Sequence, residues 1–154
     1  MAPAQPIYLD HAATTHLDPR VAAVMGECLC DPSLQANAAS AHAPGRAAAA
    51  RIERARQQVA QLVNAPPESI VFTSGATESV NLAVLGGARA AGPSRRHIVS
   101  SRVEHRAGQD ACRQLEREGF DVTWLLPDGE GRIDPGEVAT SIRPDTALAA
   151  RAPQ

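Results

Sequence analysis

A chain of 154 residues, 44% hydrophobic and 21% charged, has the composition of an ordinary globular domain rather than a disordered or fibrous one. A net charge of -2 gives no reason to expect nucleic acid or an anionic membrane as a partner. No apolar run approaches the length of a transmembrane helix, and residues 1–6 lack the basic, apolar pattern of a leader, so a cytoplasmic protein is expected.

In chain order, Ile7-Tyr8-Leu9 is a short extended run leading into the small, polar stretch Asp10 to Thr15. Asp18-Pro19 reads as a helix start, an N-cap followed by proline at the first helical position. This first helix is expected to turn Val21, Val24 and Met25 inward and to end before Asp31-Pro32. Residues 31–44 show no periodicity and read as a loop. From about Arg46 to Val63, Ile52, Ala55, Val59, Leu62 and Val63 recur at helical spacing, and Asn64-Ala65-Pro66-Pro67 stops the helix.

The pattern then changes to alternating strands and helices. Ser69 to Thr73 reads as a short buried strand. Ser74-Gly75 turns the chain into a helix from Ala76 to about Ala91, with Val80, Ala83, Val84, Gly87 and Ala91 on one side. His97 to Ser101 is the next strand, and a helix from about Arg106 to Glu118 ends at Gly119. Phe120 to Leu125 is a third strand, Asp128 to Gly131 a turn, and Asp134-Pro135 the start of another helix. Thr146 to Ala149 begins a fourth strand. This alternation predicts βαβ units and an α/β fold with a mostly parallel sheet.

Two stretches carry candidate chemistry. Phe72-Thr73-Ser74-Gly75-Ala76-Thr77-Glu78-Ser79 runs strand, glycine turn, helix start. A helix N-terminus presents unpaired N–H groups and partial positive charge to an anion, and the Thr77 hydroxyl adds a donor. Neither the P-loop nor the dinucleotide spacing is present, and a simple capped turn explains the same residues. His105, in Val103-Glu104-His105-Arg106, follows the next predicted strand, which sets both motifs at strand carboxyl ends, where open α/β sheets bind ligands. An imidazole there is suited to stacking on a flat cofactor and moving a proton, or simply to capping a helix.

The cysteines, Cys28, Cys30 and Cys112, are odd in number and read as reduced thiols, with Cys112 on the core side of its helix. His11, His16 and His42 with Cys28 and Cys30 match no zinc spacing, so no metal site is assigned. The run Arg113 to Glu118 reads as a solvated helix face. All fifteen basic residues are arginine, so any step that needs a lysine amine lies beyond this sequence.

Four stretches together resemble the cysteine desulfurases, class V aminotransferases that use pyridoxal 5'-phosphate (PLP). They are Tyr8 to Thr15, Asn37 to His42, Ile70 to Ala83, and Glu104-His105 with Cys112 to Glu116. The resemblance implies a PLP-transferase type I fold, incomplete here, with residues 1–15 as an N-terminal segment, 16–149 as a partial PLP-binding domain and 150–154 as a tail outside it. It implies that Ala76 and Thr77 bind the cofactor phosphate and that His105 stacks on the ring as a catalytic residue. It also implies L-cysteine as substrate, a sulfur-acceptor protein, a role in iron–sulfur cluster assembly and a homodimer, with no nucleic acid or membrane partner.

This sequence departs from the family pattern at Ala38, Val80 and Arg106-Ala107-Gly108. It also lacks the lysine that would hold PLP and a cysteine at the sulfur-accepting position. The expectation is therefore a truncated desulfurase that is inactive alone. The alternatives are a non-catalytic orphan or dimerising module, or part of a related class V enzyme or selenocysteine lyase.

Overall fold

A computed structural model describes residues 7–150, in two compact units, Met1–Val71 and Phe72–Gln154. The expectations for residues 1–6 and 151–154 lie outside the described residues.

In the first unit, α1 (Pro19–Cys30) starts as expected, with the Asp18 carboxylate accepting from Arg20 N at 2.8 Å. Its stripe is not turned inward: Val21, Val24 and Met25 stay about half exposed, at 48%, 48% and 51%. Helical spacing identifies an apolar face but does not supply a surface to cover it, and no residue of α1 is buried.

Residues 31–44 are not wholly irregular. Asp31 caps a 3-10 turn, Pro32–Leu34, through Ser33 N. The helix α2 (Ala43–Leu62) begins three residues earlier than the predicted Arg46, because the His42 ring caps it, accepting from Gly45 N at 3.2 Å. Its packed face also differs from the predicted one. Gly45, Ala48 and Ala60 are buried, whereas Ile52, Val59, Leu62 and Val63 are exposed. The small residues face neighbouring backbone: a Cβ on Gly45 would lie 2.4 Å from Ser40 O, a distance only glycine avoids.

The predicted strand at Ser69 to Thr73 does not form. Pro67–Ser69 is a 3-10 turn, residues 70–73 have no regular structure, and Val71 and Phe72 are exposed. A strand exists only as part of a ladder, and none of the three described strands pairs with this segment.

In the second unit, β1 (His97–Ser101) is the central strand of a three-stranded sheet. It pairs in parallel with β2 (Asp121–Leu125) on one side and β3 (Thr146–Ala149) on the other. All five of its residues are buried, as a parallel strand covered on both faces requires. On one face Ile98 packs with Val84, Ala88, Ala111, Cys112, Leu115 and Phe120. On the other, Val99 packs with Leu125 and Ile133.

The helix after Gly75 is continuous but not uniform: α3 (Ala76–Asn81), a π-helical segment Leu82–Gly86, and α4 (Gly87–Ala90). The wider π turn realigns the inward stripe. Val84 and Ala88 are buried and Val80 is partly so, while the expected Ala83 and Gly87 point outward.

The helix α5 (Arg106–Arg117) ends as the sequence implies. Gly119 sits at φ +85, Phe120 N donates to Leu115 O at 2.9 Å and Gly119 N to Glu116 O at 3.0 Å, closing a Schellman motif. Arg89 on α4 clasps Glu118 at 2.6 Å, and this pairing holds the carboxyl down at about 2. The last helix, α6 (Pro135–Ser141), is capped by Asp134, which accepts from Gly136 N at 2.9 Å.

Leu115 is fully buried at the centre of the core on the Ile98 face. Leu115→Ala is expected to cost about 2–5 kcal/mol in denaturant unfolding. Gly119→Ala is expected to cost about 1 kcal/mol, from forcing a Cβ into the left-handed region. An unchanged denaturation midpoint in Leu115→Ala would contradict this packing.

Candidate functional site

The start of α3 has the donors the sequence suggested, held in place differently from the expectation. Gly75 is the N-cap residue and no side chain caps the helix. The first bond of the helical ladder runs from Ser79 N to Gly75 O at 3.1 Å, which leaves the Ala76 and Thr77 N–H groups outside it. The turn is held from behind. Glu78 reaches back to accept from Ser74 N and Ser74 Oγ, each at 2.6 Å, and both bonds keep its carboxyl below the usual range. Thr73 Oγ1 and Ser79 Oγ lie 2.6 Å apart, and Ser79 Oγ donates to Gly75 O at 3.2 Å. Space beside Gly75 is open: a Cβ there would meet nothing within 4 Å.

His105 is the N-cap of α5, with Nδ1 accepting from Ala107 N at 3.2 Å. The capping role weighed from the sequence is therefore real. It also fixes the neutral ring, because an accepting Nδ1 leaves the proton on Nε2. The ring is exposed.

Ser74 to Thr77 do not stand at a strand's carboxyl end, because residues 70–73 are not a strand. Only the His105 turn follows one, β1. What brings the two motifs together is helix packing of α3 on α5. A Cβ on Gly108 would lie 3.9 Å from Val80 Cγ1, an ordinary contact, so the two helices pack at a spacing that does not itself require glycine.

Between them opens a cavity of about 370 Å³ whose walls include Val80, Val84, Ser100, Glu104, His105 and Leu148. Ala76 and Thr77 lie one turn before Val80 on the same helix, outside this lining. Ser100 was not singled out from the sequence. Its hydroxyl is buried with no hydrogen-bond partner of normal geometry among the described residues, although it lies near enough to the Cys112 thiol to favour the thiolate. A polar residue in the middle of the buried run His97 to Ser101 was the available signal.

These residues fit the phosphate and ring of PLP without a covalent bond. Uncommitted N–H groups, the Thr77 hydroxyl and open space at Gly75 suit the phosphate, and an apolar cavity with an orphaned hydroxyl beside an exposed imidazole suits the ring. They do not provide an amine.

The sequence profile of the class-V aminotransferases matches residues 7–153. The chain is 53% identical over 144 residues to the cysteine desulfurase IscS of Pseudomonas aeruginosa, which covers 93% of this chain and 36% of that protein. IscS of Azotobacter vinelandii gives the same identity and coverage. The chain thus spans about a third of the length of these curated relatives. Among solved structures, "SspA in complex with cysteine" superposes with a TM-score of 0.82 at 37% identity, over 92% of this chain and 40% of that one. A "NifS-like protein" gives 0.81 at 32%, over 89% and 37%. The α/β architecture is therefore part of the fold of the PLP-dependent cysteine desulfurases. Among the described residues, no helix is long and apolar enough to cross a membrane.

Cys112 is buried, and burial pushes its thiol up, while Cys30 is exposed and Cys28 half-buried. Alkylation of the native chain at pH 8 is expected to label Cys30 first, then Cys28, and to spare Cys112 until denaturant is added. Peptide mapping of the alkylated sites checks this.

Proposed function

Because the chain belongs to the class-V aminotransferase family, we propose that it supplies the phosphate-facing and ring-facing half of the PLP site of a cytoplasmic cysteine desulfurase. Such an enzyme converts L-cysteine to L-alanine and passes the sulfur to an acceptor protein, here for iron–sulfur cluster assembly, and acts as a homodimer. The carrying observation is the packing of α3 on α5, which sets the uncapped helix start at Ala76-Thr77 on the helix that meets the His105 turn.

When bound, PLP supplies an electron sink for bond changes at the amino-acid substrate. The residues of this chain bind and orient. Ala76 N–H, Thr77 N–H and Thr77 Oγ1 donate to phosphate oxygens, aided by the helix macrodipole. Glu78 sits in the same first turn as a negative charge, but it is already engaged by Ser74, so the phosphate is met by the donors of Ala76 and Thr77. His105 would present its ring to the cofactor, and with Nδ1 occupied by Ala107 N–H, Nε2 would be the atom available for proton transfer. The amine for covalent attachment must come from outside these 154 residues, since the sequence has no lysine, and none of Cys28, Cys30 and Cys112 matches the sulfur-accepting position of the family.

The reading is tested with the purified chain, PLP and L-cysteine. No sulfide is expected, and borohydride reduction is expected to fix no PLP on a side chain. Equilibrium dialysis should show reversible PLP binding that Thr77→Val weakens about tenfold, the loss of one hydrogen bond to a charged group. Sulfide release by the chain alone, or equal PLP binding by Thr77→Val, would overturn the assignment.

A further inference from the structure

His97 has no place in the site described above, yet among the described residues it is the most completely enclosed of the buried polar or charged residues, with 0% exposure. It opens the central strand, and its ring touches both neighbouring strands. Nδ1 lies 2.8 Å from Thr146 Oγ1 on β3, and Nε2 lies 2.8 Å from Thr123 Oγ1 on β2. All three strands are therefore joined by one side chain. The link to β3 falls at a weak point: the β1–β3 register slips between His97 and Ile98, where His97 pairs with Thr146 but Ile98 with Leu148. Backbone pairing of β3 is interrupted at the bulge, and the imidazole–threonine bond spans it.

The hydrogen-bond accounting favours the neutral ring. Thr146 Oγ1 already accepts from Arg143 N at 2.7 Å, so its own proton is free to donate to Nδ1. Nε2 then carries the ring proton and donates to Thr123. An imidazolium has no lone pair. Both threonine hydroxyls would have to accept, both of their protons would have to turn elsewhere, and a charge would be buried.

We propose that His97 is a proton-sensitive clamp: as the neutral Nε2–H imidazole it ties β1 to β2 and fixes the register of β3, and a proton on the ring releases β3.

The charged surroundings act in both directions, and burial is the largest influence. Burial pushes the His97 ring down, and the Arg143 guanidinium adds to this. Asp121 on β2 and Asp145 before β3 oppose it. Both carboxylates are themselves held by Arg143, at 2.6 and 3.1 Å. The helix over this face, α6, packs on β2 near Val138 and carries Glu137, with Asp134 at its cap.

The sign follows from linkage. The folded-state value lies below the unfolded histidine value of about 6.5, so the unfolded chain takes up the proton first. The clamp contributes fully above about pH 6.5. Its contribution is lost as pH falls from there through the folded-state value. Carboxylates add their own losses only at lower pH, below about 4.5.

The test is urea unfolding of the full chain between pH 8 and 5, with long-range proton–nitrogen NMR of the histidine rings. His97 is expected to remain the Nε2–H tautomer from pH 8 to 6. Below pH 6.5 the unfolding constant is expected to rise by up to about tenfold per pH unit, a steepness absent in His97→Gln. If that variant does not fold, Thr146→Val takes its place. At one fixed pH it should speed exchange of the Ala150 amide, bonded to Val99 O at 2.8 Å, more than that of the β2 amides. A His97 ring that takes up a proton between pH 8 and 6, an Nδ1–H tautomer, or equal acceleration of β2 and β3 exchange in Thr146→Val would overturn the proposal.

Discussion

His97 to Ser101 is paired on both edges and covered on both faces, and the second unit is organised around that one strand. A five-residue segment with no exposed residue must place every backbone group in a ladder and every side chain in a contact, because unmet polar groups there have no water to turn to. The apolar members of β1 meet the requirement by packing: Ile98 against the α4–α5 layer and Val99 against Leu125 and Ile133. The polar members meet it in other ways. His97 is satisfied by two threonines on the flanking strands, and Ser101 Oγ by Glu104. Ser100 Oγ alone is left over, and it lies in the wall of the cavity that His105 also lines.

The same strand determines where the candidate site can lie. At its carboxyl end the chain turns through residues 102–105 and starts α5 at His105, so the imidazole is fixed by the end of a buried strand and the first turn of a helix. A functional group placed by two rigid elements keeps its orientation without a ligand. The Ala76-Thr77 turn is fixed by a different device, the Ser74–Glu78 and Thr73–Ser79 bonds that tie the turn to its own helix. Each turn is thus locally braced, and the helices that carry them pack on one another.

What was legible in the sequence follows the range of the interactions involved. Caps are local chemistry, and Asp18, Asp134 and Gly119 act as the residue types imply. The strands at 97–101 and 121–125 and the short one at 146–149 were readable as apolar runs between turn residues. The helix starts at Ala76 and Arg106 were readable from the Gly75 turn and from His105 as a capping residue. Partnership at a distance was not readable. Ile70 to Phe72 has the composition of a strand, but composition cannot provide a neighbouring strand, and without one the segment is irregular. Val21, Val24 and Met25 have the spacing of a buried stripe, but burial is a property of two surfaces. The π segment at Leu82–Gly86 illustrates the same limit within one helix: a strict 3.6-residue period assigned Val84, Ala83 and Gly87 to the core, and packing against Ile98 kept Val84, added Ala88 and left Ala83 and Gly87 exposed.

The missing lysine gives these observations their chemical weight. A PLP site has a covalent half and a non-covalent half, and the two make different demands on a sequence. The non-covalent half needs backbone donors, a hydroxyl and a flat ring, all of which a helix start, a threonine and a capping histidine provide. The covalent half needs one specific amine, which no arrangement of arginines can replace, because a guanidinium stays protonated at any pH at which the fold survives. The fold of residues 72–150 therefore does not depend on that amine. The 53% identity to IscS is spread over a segment without a lysine. High similarity and an absent nucleophile are thus compatible, since positions that shape the cradle and positions that perform the bond changes need not lie in the same third of a chain.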